Sequence, residues 1–471
     1  MLLQRFYHAG LAQASYLVGC QASGEAAVID PNRNIDQYLD AAQRAGLRIV
    51  AVTETHIHAD YVSGARELAQ RAGARLFLSA MGPAEWQYAF AAADGATLLR
   101  DGDIITIGNV RIQAVHTPGH TPEHLSFLVT DGAAADEPMG VCSGDFVFVG
   151  DVGRPDLLER AAGIANTMEA GARQLFGSLQ RFRTLPDYVQ IWPGHGAGSA
   201  CGKALGAVPQ STVGYEKRHG WAFAIGEEQA FVTAVLAGQP DPPPYFAQMK
   251  RINRDGPPLR PAGALVPLAI SDLHPGRPDA PIIVDVRSSD AFAAGHVPGA
   301  INLPLENDFL TWAGWLLPYD RPLALIGSSD AARRARDELT LIGLDNVTGY
   351  WDAATILDQW QLAGHSVATL ARRRAVELES AILHEDALVV DVRTATEFAE
   401  GHTPGAINIP LGQLVARRGE LPEDRLVIIT CQSGTRSPIA ASVLEARGWT
   451  NLVEMRDGFE GWKLAGGPVA R

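Results

Sequence analysis

The sequence predicts an α/β multidomain chain, and three observations predict it. Strand-like and helix-like segments alternate from the start to about residue 240. One block then occurs twice, DVRSSDAFAAGHVPGAINLP from Asp285 and DVRTATEFAEGHTPGAINIP from Asp391, 106 residues apart. Each copy runs strand, polar loop, strand, helix, the order that builds a parallel α/β sheet. At 471 residues the chain also exceeds the size at which single hydrophobic cores stop growing.

In chain order, Ala26–Asp30 and Ile49–Thr55 read as buried strands ending in polar loops. Ser63–Gly73 has helical spacing with a glycine just past its end. Asp103–Thr117 reads as a hairpin turning at Gly108-Asn109. Residues 241–263 are crowded with proline and glycine and read as a semi-rigid linker, or a strap over a surface. The repeats occupy 264–366 and 370–471, with strands at Ile282–Val286 and Leu323–Ile326 in the first, Leu388–Val392 and Leu426–Thr430 in the second.

Composition excludes several classes. A net charge of −14 argues against nucleic acid and anionic membrane as partners. No run approaches the length of a membrane span, and the first residues lack a signal-peptide pattern. Four cysteines make no disulfide framework, so a reducing cytoplasm is expected. A homo-oligomer is the expected assembly.

His56, His58 and Asp60 follow a strand in Thr55-His56-Ile57-His58-Ala59-Asp60-Tyr61. His120, Asp145 and His195 follow on further loops. Imidazoles and a carboxylate arriving from separate strand ends suit a divalent transition metal. A lone histidine is ordinarily a hydrogen-bonded core or surface residue; this many on loops make coincidence a poor reading. The pattern resembles the metallo-β-lactamase superfamily over 1–240, which implies an αββα sandwich. Tyr61 stands where the usual HxHxDH string has its last histidine, which weakens a two-metal site. The closer likeness is to persulfide dioxygenases. It implies one iron(II) per chain held by His56, His120 and Asp145, with His58, Asp60, Tyr61 and His195 around it orienting the ligands. It also places Arg154 near the thiol carrier, where a guanidinium can pair with a carboxylate; a surface arginine in a structural salt bridge is the equal alternative.

Only the second repeat continues into Cys431-Gln432-Ser433-Gly434-Thr435-Arg436-Ser437. A cysteine at a strand's C-terminal end, before a helix, meets loop N–H groups that favour the thiolate. It would attack sulfane sulfur and carry it as a persulfide, with Arg436 stabilising the anion. The block resembles a rhodanese domain, so Gln432, Ser433, Gly434, Thr435 and Ser437 are implied to line the substrate loop. The first repeat has Gly327-Ser328-Ser329-Asp330 there, and a serine cannot form the persulfide, so this copy is expected to be silent. Cys142 reads as core; Cys20 and Cys201 read as packing residues before sulfur acceptors or regulators of the metal site.

The order of domains resembles persulfide dioxygenase–rhodanese fusions of sulfide detoxification. It implies oxidation of a thiol persulfide, such as glutathione persulfide, by O₂ to sulfite, with Cys431 exchanging sulfur between persulfide and sulfite or thiosulfate. The rivals are a zinc thiolester hydrolase of the glyoxalase II kind and a persulfide carrier or sensor without turnover.

Overall fold

Strand periodicity builds two sheets in the first 212 residues. The structure is a computed structural model that describes residues 1–160, 167–277, 279–306, 308–384 and 386–471. The first sheet is β1 (Leu2–His8), β2 (Gln13–Cys20), β3 (Glu25–Ile29), β4 (Arg48–Thr53), β5 (Arg75–Ser79) and β6 (Thr97–Leu99), in that spatial order. The second is β7 (Ile104–Ile107), β8 (Val110–His116), β9 (Leu125–Asp131), β10 (Gly140–Gly144), β11 (Gln190–Pro193) and β12 (Ser211–Thr212), lying 12-11-10-9-8-7. The expected hairpin is β7–β8, with Gly108 at φ 53 in its turn. The expected helix is Ala65–Ala72, closed by Gly73 in the left-handed region.

Alternation decides which face is buried. In β8, Val110, Ile112 and Ala114 are buried while Gln113 is exposed. These three pack with Tyr16, Val18, Ile29 and Phe77 of the first sheet, which closes a core between the sheets. The outer face of the first sheet packs Val28 and Val52 on Tyr38, Leu68 and Ala69 of its helices. The outer face of the second packs Val141 and Ile191 on Leu175, Leu179 and Phe182 of helix Met168–Phe182. The layers are therefore helix, sheet, sheet, helix. Each such aliphatic side chain contributes about 1.5–3 kcal/mol.

The stretch 241–263 differs from the sequence reading of a linker. Tyr245–Asp255 forms a helix whose Tyr245, Phe246, Met249 and Asn253 are buried. Its prolines fall before the first turn and after Gly256, where a missing N–H costs no helical hydrogen bond. The stretch through Pro261 belongs to the first compact unit, Met1–Pro261 with Thr340–Gly343.

The second unit, Ala262–Leu339 with Leu344–Arg471, holds both repeats. The first has parallel strands β13 (Ile282–Asp285), β14 (Ile301–Asn302), β15 (Leu323–Gly327) and β16 (Val347–Asp352), in the order 14-13-15-16. The second has β17 (Arg372–Arg373), β18 (Leu388–Asp391), β19 (Ile407–Asn408), β20 (Val427–Thr430) and β21 (Leu452–Met455), in the order 17-21-20-18-19. Asp285 pairs with Asn302 and Asp391 with Asn408, so the duplicated block folds twice in one register. Its polar residues are a brace: Asn408 Nδ2 donates to the carbonyls of Asp391 and Arg393, both at 2.9 Å, and Arg393 forks onto Asp391. The repeats also touch. The Asn302 N–H donates to Ser442 Oγ at 3.0 Å, and His296 Nε2 lies 3.0 Å from Glu445.

Candidate functional site

Four strand ends deliver the histidines and acids. Shortly past the C-terminal ends of β4, β8, β10 and β11 come His56, His120, Asp145 and His195. One donor atom from each of His56, His120 and Asp145 lies within 4.8 Å of the others, all buried. Asp145 Oδ2 is 3.6 Å from His120 Nε2 and 3.9 Å from His56 Nε2. The outer ring nitrogens are tethered: His120 Nδ1 donates to the Arg154 carbonyl at 3.1 Å, and His56 Nδ1 meets Thr55 Oγ1 at 2.9 Å. Such tethers fix the ring and point its other nitrogen inward.

The inward atoms, His56 Nε2 and both Asp145 oxygens, are buried without a hydrogen-bond partner. Leaving a carboxylate so is costly, and a cation among the three resolves it. Burial, reinforced by His58 and His120, holds His56 well below the usual imidazole range, and burial lowers His120 too. Neutral imidazoles are the form that binds metal. The donor set fits a divalent transition metal.

The neighbours differ in role. His58 turns away, with Nε2 3.1 Å from Asp30 Oδ1. Burial opposes its charge, but Asp30 prevails and raises it to about 9. Asp30 also accepts from the Thr55 N–H (2.6 Å) and hydroxyl (2.9 Å). Tyr61 donates to the Asp30 carbonyl at 3.3 Å, and burial pushes its phenol well above the ordinary value, so it stays a neutral donor. His195 Nε2 lies 3.3 Å from Asp60 and 3.4 Å from Asp145 Oδ1. With Cys201, Asp60 and His195 form a second group whose donor atoms lie within 4.8 Å of one another. The sequence reading ranked packing above a place at the metal site for Cys201, because no motif links it to residues so far away in the chain.

Arg154 is corrected. It is fully buried, forks onto Asp156 at 2.8 and 2.7 Å, and donates to the carbonyls of Ala200 and Pro240. The guanidinium is an internal clamp and presents no free face to a carboxylate of a thiol carrier. Asn253, also missed, ties the metal loop from the proline-flanked helix. Its amide donates to the carbonyls of His58 (2.8 Å) and Tyr61 (2.7 Å) and accepts from the Ser63 N–H (2.9 Å).

In the second repeat β20 ends directly at Cys431, whose thiol is buried. The Gly434 N–H donates to Sγ at 3.2 Å. Gly434 has φ +84, and a Cβ there would stand 1.9 Å from the Arg456 carbonyl, so only glycine closes this loop. Arg436 opens helix Arg436–Glu445, and its fork engages Glu397 at 2.8 and 2.7 Å rather than the sulfur. Gln432 bridges Arg393 (2.9 Å) and Glu460 (3.0 Å). Ser433 and Thr435 are exposed, and Ser433 lines an open cavity of about 460 Å³ with Arg374, Asp457 and Leu464. Ser328 of the first repeat instead accepts from the Ala331 N–H as a helix cap.

Comparison with known proteins agrees with this layout. The sequence model of the Metallo-beta-lactamase superfamily matches residues 9–195, and that of the Rhodanese-like domain matches 271–359 and 375–465. A crystal structure of a metallo-beta-lactamase from Staphylococcus aureus subsp. aureus COL is 43% identical, with a TM-score of 0.68. The match covers 74% of this chain and 98% of that one. The chain belongs to the metallo-beta-lactamase superfamily. To its metallo-beta-lactamase fold it adds two rhodanese-like domains, one with the cysteine and one without. A sulfurtransferase of Allochromatium vinosum is 39% identical over 85 residues, 18% of this chain and 79% of that protein. A hydroxyacylglutathione hydrolase of Rhodospirillum rubrum is 29% identical over 180 residues, 38% of this chain and 60% of that protein. Among the described residues no helix is long and apolar enough to cross a membrane.

Proposed function

We propose that this superfamily member is an enzyme of sulfur metabolism in which the metallo-beta-lactamase domain oxidises a thiol persulfide with O₂ and water to the thiol and sulfite. Cys431 then exchanges sulfane sulfur between persulfide and sulfite or thiosulfate. The observation that carries the reading is the set of two histidines and one carboxylate, with His58 withdrawn onto Asp30, in one chain with a cysteine loop. Bound iron(II) would supply the redox chemistry that joins persulfide sulfur to oxygen; His56, His120 and Asp145 would hold it. Thr55 and the Arg154 carbonyl keep the two rings aimed inward. The Gly434 N–H faces Sγ and stabilises negative charge there. The thiol carrier is proposed to be glutathione or a similar small thiol.

The test is oxygen uptake by anaerobically purified, iron-loaded protein given glutathione persulfide, with sulfite and thiosulfate quantified. Uptake that disappears in His120→Ala supports the reading; no uptake with any persulfide overturns it. A second reading has its own observation. Asp60, His195 and Cys201 could hold a second metal, and the hydroxyacylglutathione hydrolase likeness points the same way. Hydrolysis of S-lactoylglutathione by zinc-loaded protein, without oxygen uptake, would favour that thiolester hydrolase.

A further inference from the structure

Behind the Cys431 loop lies a carboxylate that no part of the loop motif announces. Cys431 Sγ is 3.5 Å from Ser437 Oγ, and Ser437 Oγ is 2.7 Å from Glu454 Oε1. All three residues are buried, Glu454 completely. The other Glu454 oxygen accepts from Arg372 Nε at 2.6 Å. A hydroxyl has one proton and two lone pairs. When Ser437 donates to an ionised Glu454, it can only accept from the Cys431 thiol. When Glu454 is protonated and donates to Ser437, that hydroxyl donates to the thiolate. The two states differ by one proton moved along the line.

We propose that Ser437 and Glu454 are the proton path of Cys431, an inference that rests on reading Cys431 as a sulfur carrier. As Cys431 attacks the outer sulfur of thiosulfate, its S–H proton passes to Ser437 Oγ and the Ser437 proton passes to Glu454 Oε1. The new Sγ–S bond forms from the thiolate pair, and the old S–S pair leaves with sulfite. Cys431 is left as the persulfide anion and Glu454 as the acid. Transfer of that sulfur to an acceptor such as cyanide restores the thiolate, and the proton returns. The groups facing this line are Arg372 and Arg456 on the Glu454 side and Arg436, itself paired with Glu397, on the Cys431 side. Burial lifts the Glu454 carboxyl above its usual range even though Arg372, Ser437 and Arg456 pull it down. Raised proton affinity makes a buried carboxyl a better acceptor for the relayed proton than an exposed one.

The experiment loads the full chain with thiosulfate in weak buffer containing a pH indicator. Sulfur on the peptide bearing Cys431 is counted by mass spectrometry, and Cys431→Ser is the blank. In the unsubstituted protein the proton stays inside. Glu454→Gln, and Ser437→Ala with its Arg372–Glu454 pair intact, should each release about one extra proton per sulfur loaded. Their loading should slow by roughly 10²-fold near neutral pH, as for a lost general base, and recover as pH rises. Equal release from all three proteins, or slowing that is the same at every pH, overturns the path. Release from Ser437→Ala but not from folded Glu454→Gln overturns Glu454 as the acceptor. If the unsubstituted protein takes up no sulfur at Cys431, the carrier reading itself fails and the path with it.

Discussion

Asp30 holds three groups of the metal loop at once, although it stands 28 residues upstream of His58. Asp30→Ala would strand a buried His58 and two Thr55 donors. The expected cost is about 3–5 kcal/mol, as when one partner of a buried pair is removed, read as a lower urea midpoint with unchanged slope. Arg436 and Glu397 give a pH-dependent counterpart. The Arg436 hydrogen bonds draw the half-buried Glu397 carboxyl down to about 2. A depressed carboxylate stabilises the fold above its unfolded range and loses that contribution as pH falls through its folded value. Glu397→Gln should therefore flatten the decline of thermal midpoint between about pH 5 and pH 2, while a full decline in the variant would count against the pair. The pool of histidines and acids was legible in the sequence because each follows a strand in a recognisable string, and it took the persulfide dioxygenase likeness to single out His56, His120 and Asp145. The turning away of His58 was not, since its cause lies on a different strand end. Nor was the burial of Arg154, whose sequence alternative was a surface salt bridge and whose enclosure needed Asp156, Ala200 and Pro240 placed around it.

Secondary structure was legible where periodicity was long and ended in glycine, as at Ala65–Ala72 and the β7–β8 hairpin. It was obscured at Tyr245–Asp255, where flanking prolines masked four buried positions on one helical face. That helix positions the metal loop through Asn253. Its three hydrogen bonds, at about 1 kcal/mol net each, suggest that Asn253→Ala costs roughly 3 kcal/mol. The variant should also retain less metal after dialysis, by elemental analysis. Unchanged metal content with lowered stability would restrict the helix to packing.

In the whole molecule the duplicated block shows what duplication preserved. Asp285 and Asn302 keep the brace of Asp391 and Asn408, so the fold of the repeat without the cysteine was legible from its twin. What it does for the second repeat was not legible, because Ser442 and Glu445 carry no motif. Cys431→Ser should abolish thiosulfate–cyanide sulfur transfer and leave persulfide-dependent oxygen uptake within about twofold; joint loss would show that the two chemistries are not separable. The sequence marked out the histidine–aspartate set and the cysteine loop, but not Cys201 beside Asp60 and His195, nor Glu454 behind Cys431. Both depend on chain crossings that spacing does not encode.

The clasp made by Asn253 also bears on where the first domain can be cut. The family match ends at residue 195, and the linker-like composition invites a boundary near 240. A fragment 1–240 would keep every candidate ligand and lose the side chain that holds the backbone from His58 to Ser63. A fragment 1–261 would keep both. The longer piece should retain metal where the shorter one loses it, which would put the functional edge of this domain some 60 residues beyond the end of the superfamily model match.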